Sequence, residues 1–172
     1  LHSLGKMEDL VIQTAGITGD ANVTYEKKAL SVMCADNGVV EEGVTQTGQE
    51  VTAIVAENFL KYDTSVGVMC KQNHAEIFPV DMGMVTDTKV RTDHKIAYGT
   101  QNMTKGPAMT REQAVKGLEA GIDMVRELND KGYRILATGE MGIGNTTTSS
   151  AVASVLLKQP VEEMTGRGAG LT

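Results

Sequence analysis

A glycine-rich segment that carries one carboxylate and several hydroxyls is the part of this sequence best equipped for chemistry. It runs from Thr138 to Thr148 and reads Thr-Gly-Glu-Met-Gly-Ile-Gly-Asn-Thr-Thr-Thr. Glycines let a backbone turn tightly and approach a ligand closely, and a following helix offers free N–H groups and a positive dipole end. The spacing matches neither the Walker loop nor the dinucleotide-binding fingerprint. We therefore predict a cradle for a small phosphorylated metabolite, with a plain strand-to-helix turn as the alternative.

Glu140 is the acid inside this segment. A carboxylate next to a phosphate is repelled, so we expect it to face another part of the ligand. There it could accept a proton or a hydrogen bond from a ring nitrogen, which makes Glu140 the predicted catalytic residue. A solvated loop acid is the alternative. Thr146 and Thr147 are predicted either to cap the next helix or to bind a phosphate oxygen.

Two further polar clusters follow predicted strands, beginning at Asp36 and at Asp81. The carboxyl ends of parallel strands meet at one edge of a sheet, so both clusters should lie near the glycine segment and form a pocket. Asp36 could position a substrate or only stabilise its turn. Gln49 begins the next predicted helix and could simply cap it.

The predicted elements alternate between strands and helices. Buried strands are predicted at 29–35, 75–81 and 133–138, and helices at 3–16, 49–62, 65–73, 110–131 and 146–157, with loops at 39–48 and 86–107. A capping box from Thr110 to Gln113 begins the longest helix, and Gly132 ends it. Its predicted apolar stripe comprises Ala114, Val115, Leu118, Gly121, Ile122, Val125 and Leu128. This order predicts an α/β fold, a parallel sheet flanked by helices (Rossmann-like), in a single domain over 1–172.

Composition and charge argue against several classes of function. The 172 residues carry a net charge of −6 without a block of Lys or Arg, so we expect no nucleic-acid partner. No apolar run approaches the ~20 residues that span a bilayer, so we expect no membrane segment. His2, His74 and His94 lack metal-ligand spacing, and we predict neither a metal nor a cofactor. Cys34 and Cys70 lie in apolar surroundings, which predicts buried free thiols and suits the cytoplasm.

Several blocks of the sequence together resemble one enzyme family over the whole chain. They are Ser3–Glu8, Ala35–Val39, Gly43-Val44, Gln49–Thr52, Val80–Gly83, Gly99–Met103, Gly139–Thr147 and Gly166–Gly170. Their residues and order resemble nicotinate-nucleotide–dimethylbenzimidazole phosphoribosyltransferase, a family of cobalamin biosynthesis. The Gly-Glu-Met-Gly-Ile-Gly-Asn-Thr-Thr block is the most specific of them.

The resemblance implies a reaction and an architecture. Enzymes of this family exchange the nicotinate of nicotinate mononucleotide for a benzimidazole-type base, giving α-ribazole 5′-phosphate. The implied fold has a parallel-sheet core and a small helical subdomain to which the N-terminus contributes, usually in a cytoplasmic homodimer. The implied partners are these small-molecule substrates.

The resemblance also assigns the substrate-binding residues. The 5′-phosphate and the edge of the base would be held by Glu140, Met141, Gly142, Ile143, Gly144, Asn145, Thr146 and Thr147. Arg167 and Gly168, with Gly166, would assist on the phosphate side. Gln49 and its neighbours would line the base pocket.

Two departures from the family pattern limit what the resemblance implies. The family has His at the position of Asn37, and a longer, aromatic-containing loop in place of 45–48. The glutamate usually assigned as the general base lies beyond the Gly-Arg-Gly block, outside these residues. We therefore expect an incomplete portion of a longer enzyme that is inactive alone. A non-catalytic nucleotide-binding module of the same fold, and an unrelated protein with a structural glycine turn, are the alternatives.

Overall fold

The structure is a computed structural model that describes residues 3–168. Within that range, three strands are formed by Lys28–Ala35 (β1), Ala75–Gly83 (β2) and Ile135–Met141 (β3). Six helices over the same residues are formed by Lys6–Thr18 (α1), Glu50–Lys61 (α2), Ser65–Gln72 (α3), Arg111–Asp130 (α4), Asn145–Leu157 (α5) and Val161–Met164 (α6). A 3₁₀ turn over Gly38–Glu42, preceded by the extended Asn37, lies partly within the region predicted as a loop. His2 and the last two residues of the Gly166–Gly170 block lie outside the described residues.

The three strands form one parallel sheet in the order β2-β1-β3. Lys28 of the central strand lies opposite Ala75 on one side and Ile135 on the other. The chain crosses from β1 to β2 on one side and then returns to place β3 on the other side. The crevice between the carboxyl ends of β1 and β3 is therefore a topological switch point, where α/β sheets bind ligands. The predicted α/β fold with a helix-flanked parallel sheet is confirmed.

Helices cover both faces of the sheet because β1 sends apolar side chains to both. Leu30, Val32 and Cys34 alternate onto the face where Ala56, Phe59 and Cys70 of α2 and α3 pack. Ala29 points to the other face, against Met124 and Leu128 of α4. A strand covered on both sides reads as a continuous apolar run, as 29–35 does.

The predicted apolar stripe of α4 is largely wrong. Only Leu128 of that stripe is buried; its companions on the sheet-facing side are Ala120 and Met124. Leu118 and Ile122 are 72% and 51% exposed. The helix meets the sheet along a narrow line of every fourth residue, which a broad apolar stripe in the sequence does not single out.

Two other helices expose apolar side chains. None of the residues of α1 is buried, and Met7, Leu10 and Val11 are exposed. Helix α2 buries Thr52 and Ala53, while Ile54 is exposed. The buried hydroxyl of Thr52 is used at the site described below.

The ends of α4 follow the prediction closely. The Thr110 hydroxyl accepts the Gln113 N–H at 3.1 Å, and the Thr110 N–H donates to the Gln113 side chain at 2.8 Å. Lys131 is the C-cap residue, and Gly132 follows it in the left-handed region at φ 84°. The capping box is confirmed, and the glycine lies one residue beyond the cap.

Replacing Thr110 with alanine should lower the free energy of unfolding by about 1 kcal/mol, because the Gln113 N–H loses the hydroxyl that accepts it. Urea denaturation of the variant and the wild type measures this difference. The Thr24→Ala variant, in an exposed loop, is the matched control and should change stability far less. An equal effect of the two substitutions would contradict the role assigned to the capping box.

The third strand is displaced along the chain from its predicted position. It covers 135–141 rather than 133–138, so Gly139 and Glu140 belong to the strand and not to the loop. The pairing with β1 is the reason, since Gly139 lies opposite Val32 and Glu140 opposite Met33. A cross-strand register of this kind is a tertiary property that the local pattern does not contain.

Both cysteines are free and buried, as predicted. Burial raises the pKa of the Cys34 thiol to about 12, so this group stays protonated at neutral pH. Over the described residues, no helix combines the length and the apolar character needed to cross a membrane. Within that same range, no group of His, Cys, Asp and Glu side chains is arranged to hold a metal ion.

Candidate functional site

The glycine loop, residues 142–144, joins the end of β3 to the start of α5. The Asn145 N–H donates to the Gly142 carbonyl at 3.1 Å, which closes a tight turn. The Ile143 N–H donates to the buried hydroxyl of Thr52 at 3.0 Å. The loop is therefore fixed both within itself and to helix α2.

Two glycines of the loop are required by packing and backbone conformation. A Cβ atom on Gly142 would run into the backbone carbonyl oxygen of Ala35, well inside van der Waals contact. Gly144 has φ 87°, in the left-handed region that side chains disfavour. The close approach of Gly142 is thus to strand β1, whereas the sequence suggested an approach to the ligand.

A cavity of about 250 Å³ opens in front of the glycine loop. One wall is the loop 44–47, the other is formed by residues 142–146, and Arg167 lies at its margin. Six of the predicted substrate-binding residues meet here: Gly142, Ile143, Gly144, Asn145, Thr146 and Arg167. The cavity, hereafter the loop cleft, lies at the switch point between β1 and β3.

The N-terminus of α5 faces this loop cleft through Asn145 and Thr146. The first helical hydrogen bond runs from the Thr148 N–H to the Gly144 carbonyl at 3.3 Å. The N–H groups of Thr146 and Thr147 precede that bond, and Gly144 at the N-cap has no side chain to satisfy them. Donors of this kind, together with the helix dipole and a guanidinium, are the components of an anion site.

The segment 166–168 folds back onto the start of α5. A Cβ atom on Gly168 would lie 2.7 Å from the Thr146 hydroxyl oxygen. This contact places Gly168 beside Thr146, which lines the loop cleft. The predicted grouping of Arg167 and Gly168 with the glycine loop therefore has a geometric basis.

Five predicted site residues lie outside the lining of the loop cleft, and Gly168, beside Thr146, is one of them. Glu140 is exposed on β3, on the face of the sheet that carries Leu136, while Met141 packs into the core beneath α2 and α3. Thr147 follows the lining residues within α5. Gln49 is the N-cap of α2, but its side chain donates to the Asn37 carbonyl at 3.1 Å and makes no cap hydrogen bond.

Sequence reasoning missed three residues that hold the site together. Asn37 and Thr52 contact the glycine loop directly. Thr100 accepts the Gly38 N–H at 3.1 Å and donates its own N–H to the Asp36 carbonyl at 3.0 Å. The region 86–107 is irregular as predicted, and Gly99 and Thr100 in its last part bond to the strand ends. The Gly-Thr-Gln-Asn block at 99–102 was the sequence signal that could have identified Thr100.

Asp36 forms structural contacts at the end of β1. It is fully buried and accepts the Val85 N–H at 2.8 Å, so it joins the end of β1 to the segment after β2. Asp81 is also fully buried, accepts the Met84 N–H at 2.7 Å and lies 3.1 Å from the Lys95 ammonium. The two strand-end acids thus stabilise the edge of the sheet that carries the site.

The pH dependence of stability should report on Asp36. Burial raises the pKa of its carboxyl, and hydrogen bonds from Thr52 and Val85 partly oppose this shift. The folded chain therefore holds a proton at pH values where the unfolded chain has lost it, and the associated stability declines as pH rises. Relative to the wild type, Asp36→Asn should gain stability as the pH rises above 3.8, the ordinary pKa of an aspartate. Urea denaturation across this range measures the difference, and a difference independent of pH would contradict this assignment.

A second cavity of about 250 Å³ lies at the ends of β1 and β2, against the first turns of α4. Small and apolar residues dominate its lining, among them Met82, Ile96, Ala97 and Met109. Among the described residues that line it there is no lysine or arginine, so it offers a phosphate no cation. The loop cleft is the better anion site.

Known proteins resemble this chain over its whole length. A family described as phosphoribosyltransferase has a model that matches residues 1–172. Relatives from Ruminiclostridium cellulolyticum and Clostridium acetobutylicum, both named nicotinate-nucleotide–dimethylbenzimidazole phosphoribosyltransferase, are each 51% identical over 174 residues. The crystal structure of CobT from Thermus thermophilus superposes with a TM-score of 0.91 at 35% identity, over 99% of this chain.

The matches cover only part of each relative. The alignment takes in 100% of this chain but 49% of the two curated relatives, and 52% of the Thermus chain. The chain thus spans about half the length of the proteins it matches.

Proposed function

This chain belongs to the phosphoribosyltransferase family, and from that premise we propose that its protein exchanges the nicotinate of nicotinate mononucleotide for a benzimidazole-type base. The product would be α-ribazole 5′-phosphate, in cobalamin biosynthesis. The printed names of the relatives support the two bases, since they pair nicotinate nucleotide with dimethylbenzimidazole. Binding, rather than turnover, is the function proposed for the residues of this chain.

The observation that carries the proposal is the loop cleft. It joins the N-terminus of α5, the glycine loop and Arg167 around a space of about 250 Å³. We assign the 5′-phosphate to the N–H groups of the first turn of α5 and to the Arg167 guanidinium. The neighbouring loop 44–47, which carries two threonines and a glutamine, would face the remainder of the nucleotide.

The transfer needs a leaving base and an entering base at the same carbon atom. The bond from ribose C1 to the pyridine nitrogen breaks, and its electron pair stays on nicotinate. A benzimidazole nitrogen forms the new bond to C1. The proton of the other ring nitrogen passes to a proton-accepting group. A site that fixes the phosphate would hold C1 in position between the two rings.

We propose that Glu140 and Gln49 contact the base of the nucleotide, beyond the phosphate. Glu140 lies two residues before Gly142 and is exposed, so its carboxylate is free to reach a ligand that extends beyond the loop cleft. Gln49 is held near the same edge by its hydrogen bond to Asn37. The loop cleft itself is lined by no carboxylate among the described residues, which favours the non-catalytic binding module as the second candidate for this chain alone.

We further propose one domain, a homodimer and a cytoplasmic location. The single sheet with helices on both faces supports one domain. The exposed apolar side chains of α1, such as Ile12 and Ile17, offer surface for a second subunit. The buried free thiols suit a reducing compartment. Analytical ultracentrifugation tests the dimer, and a purely monomeric species would contradict it.

Calorimetry with two ligands tests the proposed binding function. Nicotinate mononucleotide should bind this chain, and the nucleoside that lacks its phosphate should bind at least about tenfold more weakly, because it loses the charged contacts. Equal affinity for the two ligands would contradict the phosphate site. Absence of mononucleotide binding would contradict the binding function of this chain.

A further inference from the structure

The side chain of Asn37 connects two separate parts of the site. Its Nδ2 donates to the Ile143 carbonyl at 3.1 Å. Its Oδ1 accepts from the Thr148 hydroxyl at 3.1 Å, and that hydroxyl is shared with the Asn145 carbonyl at 3.0 Å. Its own carbonyl accepts from the Gln49 side chain at 3.1 Å. One half-buried residue at the end of β1 thus touches the glycine loop, the first turns of α5 and the start of α2.

Asn37 does not use its side chain in the way its local sequence suggests. An asparagine ahead of a turn normally accepts a hydrogen bond from a nearby N–H group. Asn37 is the N-cap of the 3₁₀ turn, yet it makes no side-chain cap hydrogen bond there. Its amide is directed across the crevice, to residues more than a hundred positions along the chain.

The two contacts require an amide with one particular orientation. The Ile143 carbonyl can only accept, so the group facing it must be the NH₂ of Asn37, and the oxygen then faces Thr148. A carboxylate at position 37 would put a negative oxygen against that carbonyl. It would also add charge beside a site that favours anions.

We propose that Asn37 is a positioning residue that holds the glycine loop against the start of α5, so that the loop cleft is formed before the ligand arrives. The resulting gain in affinity for a nucleotide phosphate rests on the proposed function. The positioning itself rests only on the two hydrogen bonds. A preformed site avoids the cost of ordering its donors on binding.

The test compares Asn37→Ala and Asn37→Asp with the wild-type chain in two measurements. Amide hydrogen exchange on the free protein should accelerate about tenfold at Ile143 and Asn145 in both variants, with the centre of the sheet unchanged. Calorimetry should show affinity for nicotinate mononucleotide about tenfold lower for Asn37→Ala, and lower still for Asn37→Asp because of its charge. Asn37→Ala is the variant that decides the result if Asn37→Asp folds poorly.

Asn73→Ala and Asn73→Asp are the matched controls. The Asn73 amide also donates to a carbonyl, that of Met69 at 2.8 Å, but it lies before the amino end of β2. Neither control should change exchange at the loop or affinity for the mononucleotide.

The outcomes separate the two proposals. Suppose that the wild-type chain binds no mononucleotide but that the loop amides exchange faster in Asn37→Ala. That result would support the positioning role and contradict the proposed function. Unchanged exchange and affinity in Asn37→Ala would overturn the positioning role while leaving the function in place. Lower affinity in Asn37→Asp alone, with normal loop exchange, would also overturn it, because charge would then be the cause.

Discussion

The Gly142→Ala variant is expected to lose about 2–3 kcal/mol of unfolding free energy and to lose measurable affinity for nicotinate mononucleotide. The added methyl group would meet the carbonyl oxygen of Ala35. Neither atom can move alone, since Ala35 ends the central strand and Gly142 follows the last residue of β3. The strand ends must separate, and the glycine loop moves with them.

Urea denaturation and calorimetry measure the two effects of this substitution. Gly121→Ala in α4 is the matched control, because no atom lies within 4 Å of the added methyl group. A glycine inside a helix costs about 0.5–1 kcal/mol relative to alanine, so the control should gain stability. Wild-type stability together with wild-type affinity in Gly142→Ala would contradict the packing described here.

The Arg167→Gln variant should bind nicotinate mononucleotide about 10–100-fold more weakly, with little change in stability. Arg167 is exposed at the margin of the loop cleft, so its removal leaves the core intact. A charged hydrogen bond to phosphate contributes about 1.5–3 kcal/mol, which corresponds to that range of affinity. Added salt should narrow the difference between variant and wild type, because screening weakens the lost interaction.

Calorimetry at two salt concentrations measures the role of Arg167. The matched control is Arg126→Gln on α4, whose guanidinium pairs with Asp123 at 3.4 Å on the surface. This control removes the same charge at another place and should leave affinity nearly unchanged. Equal losses in both variants would assign the effect to net charge and not to a contact with phosphate.

The sequence predicted those parts of the molecule that depend on local chemistry. The capping box at Thr110 needs only residues three positions apart, and the buried strand predicted at 29–35 needs only its own apolar run. The glycine segment was recognised because its glycines, hydroxyls and following helix are adjacent in the chain. Five residues of that segment line one cleft together with Arg167, as predicted residues of a common site.

The parts that the sequence did not predict depend on long-range pairing. Glu140 lies in a strand and not in a loop because β3 pairs with β1 up to Met141. The sheet-facing line of α4 was misplaced because Leu118 and Ile122 are as apolar as core residues although they are exposed. Asn37 reads as a turn residue, and only the folded chain shows its amide reaching Ile143.

Chemical-shift mapping tests the central claim, that the loop cleft binds the phosphate end of a nucleotide. Nicotinate mononucleotide is titrated into the isotope-labelled chain, and the backbone amides are followed by NMR. We predict that the largest saturable shifts occur at Gly142, Gly144, Thr146 and Arg167, and that the dephosphorylated nucleoside shifts them far less. Saturable shifts confined to the second cavity, near Gly83 and Gly117, would contradict the account.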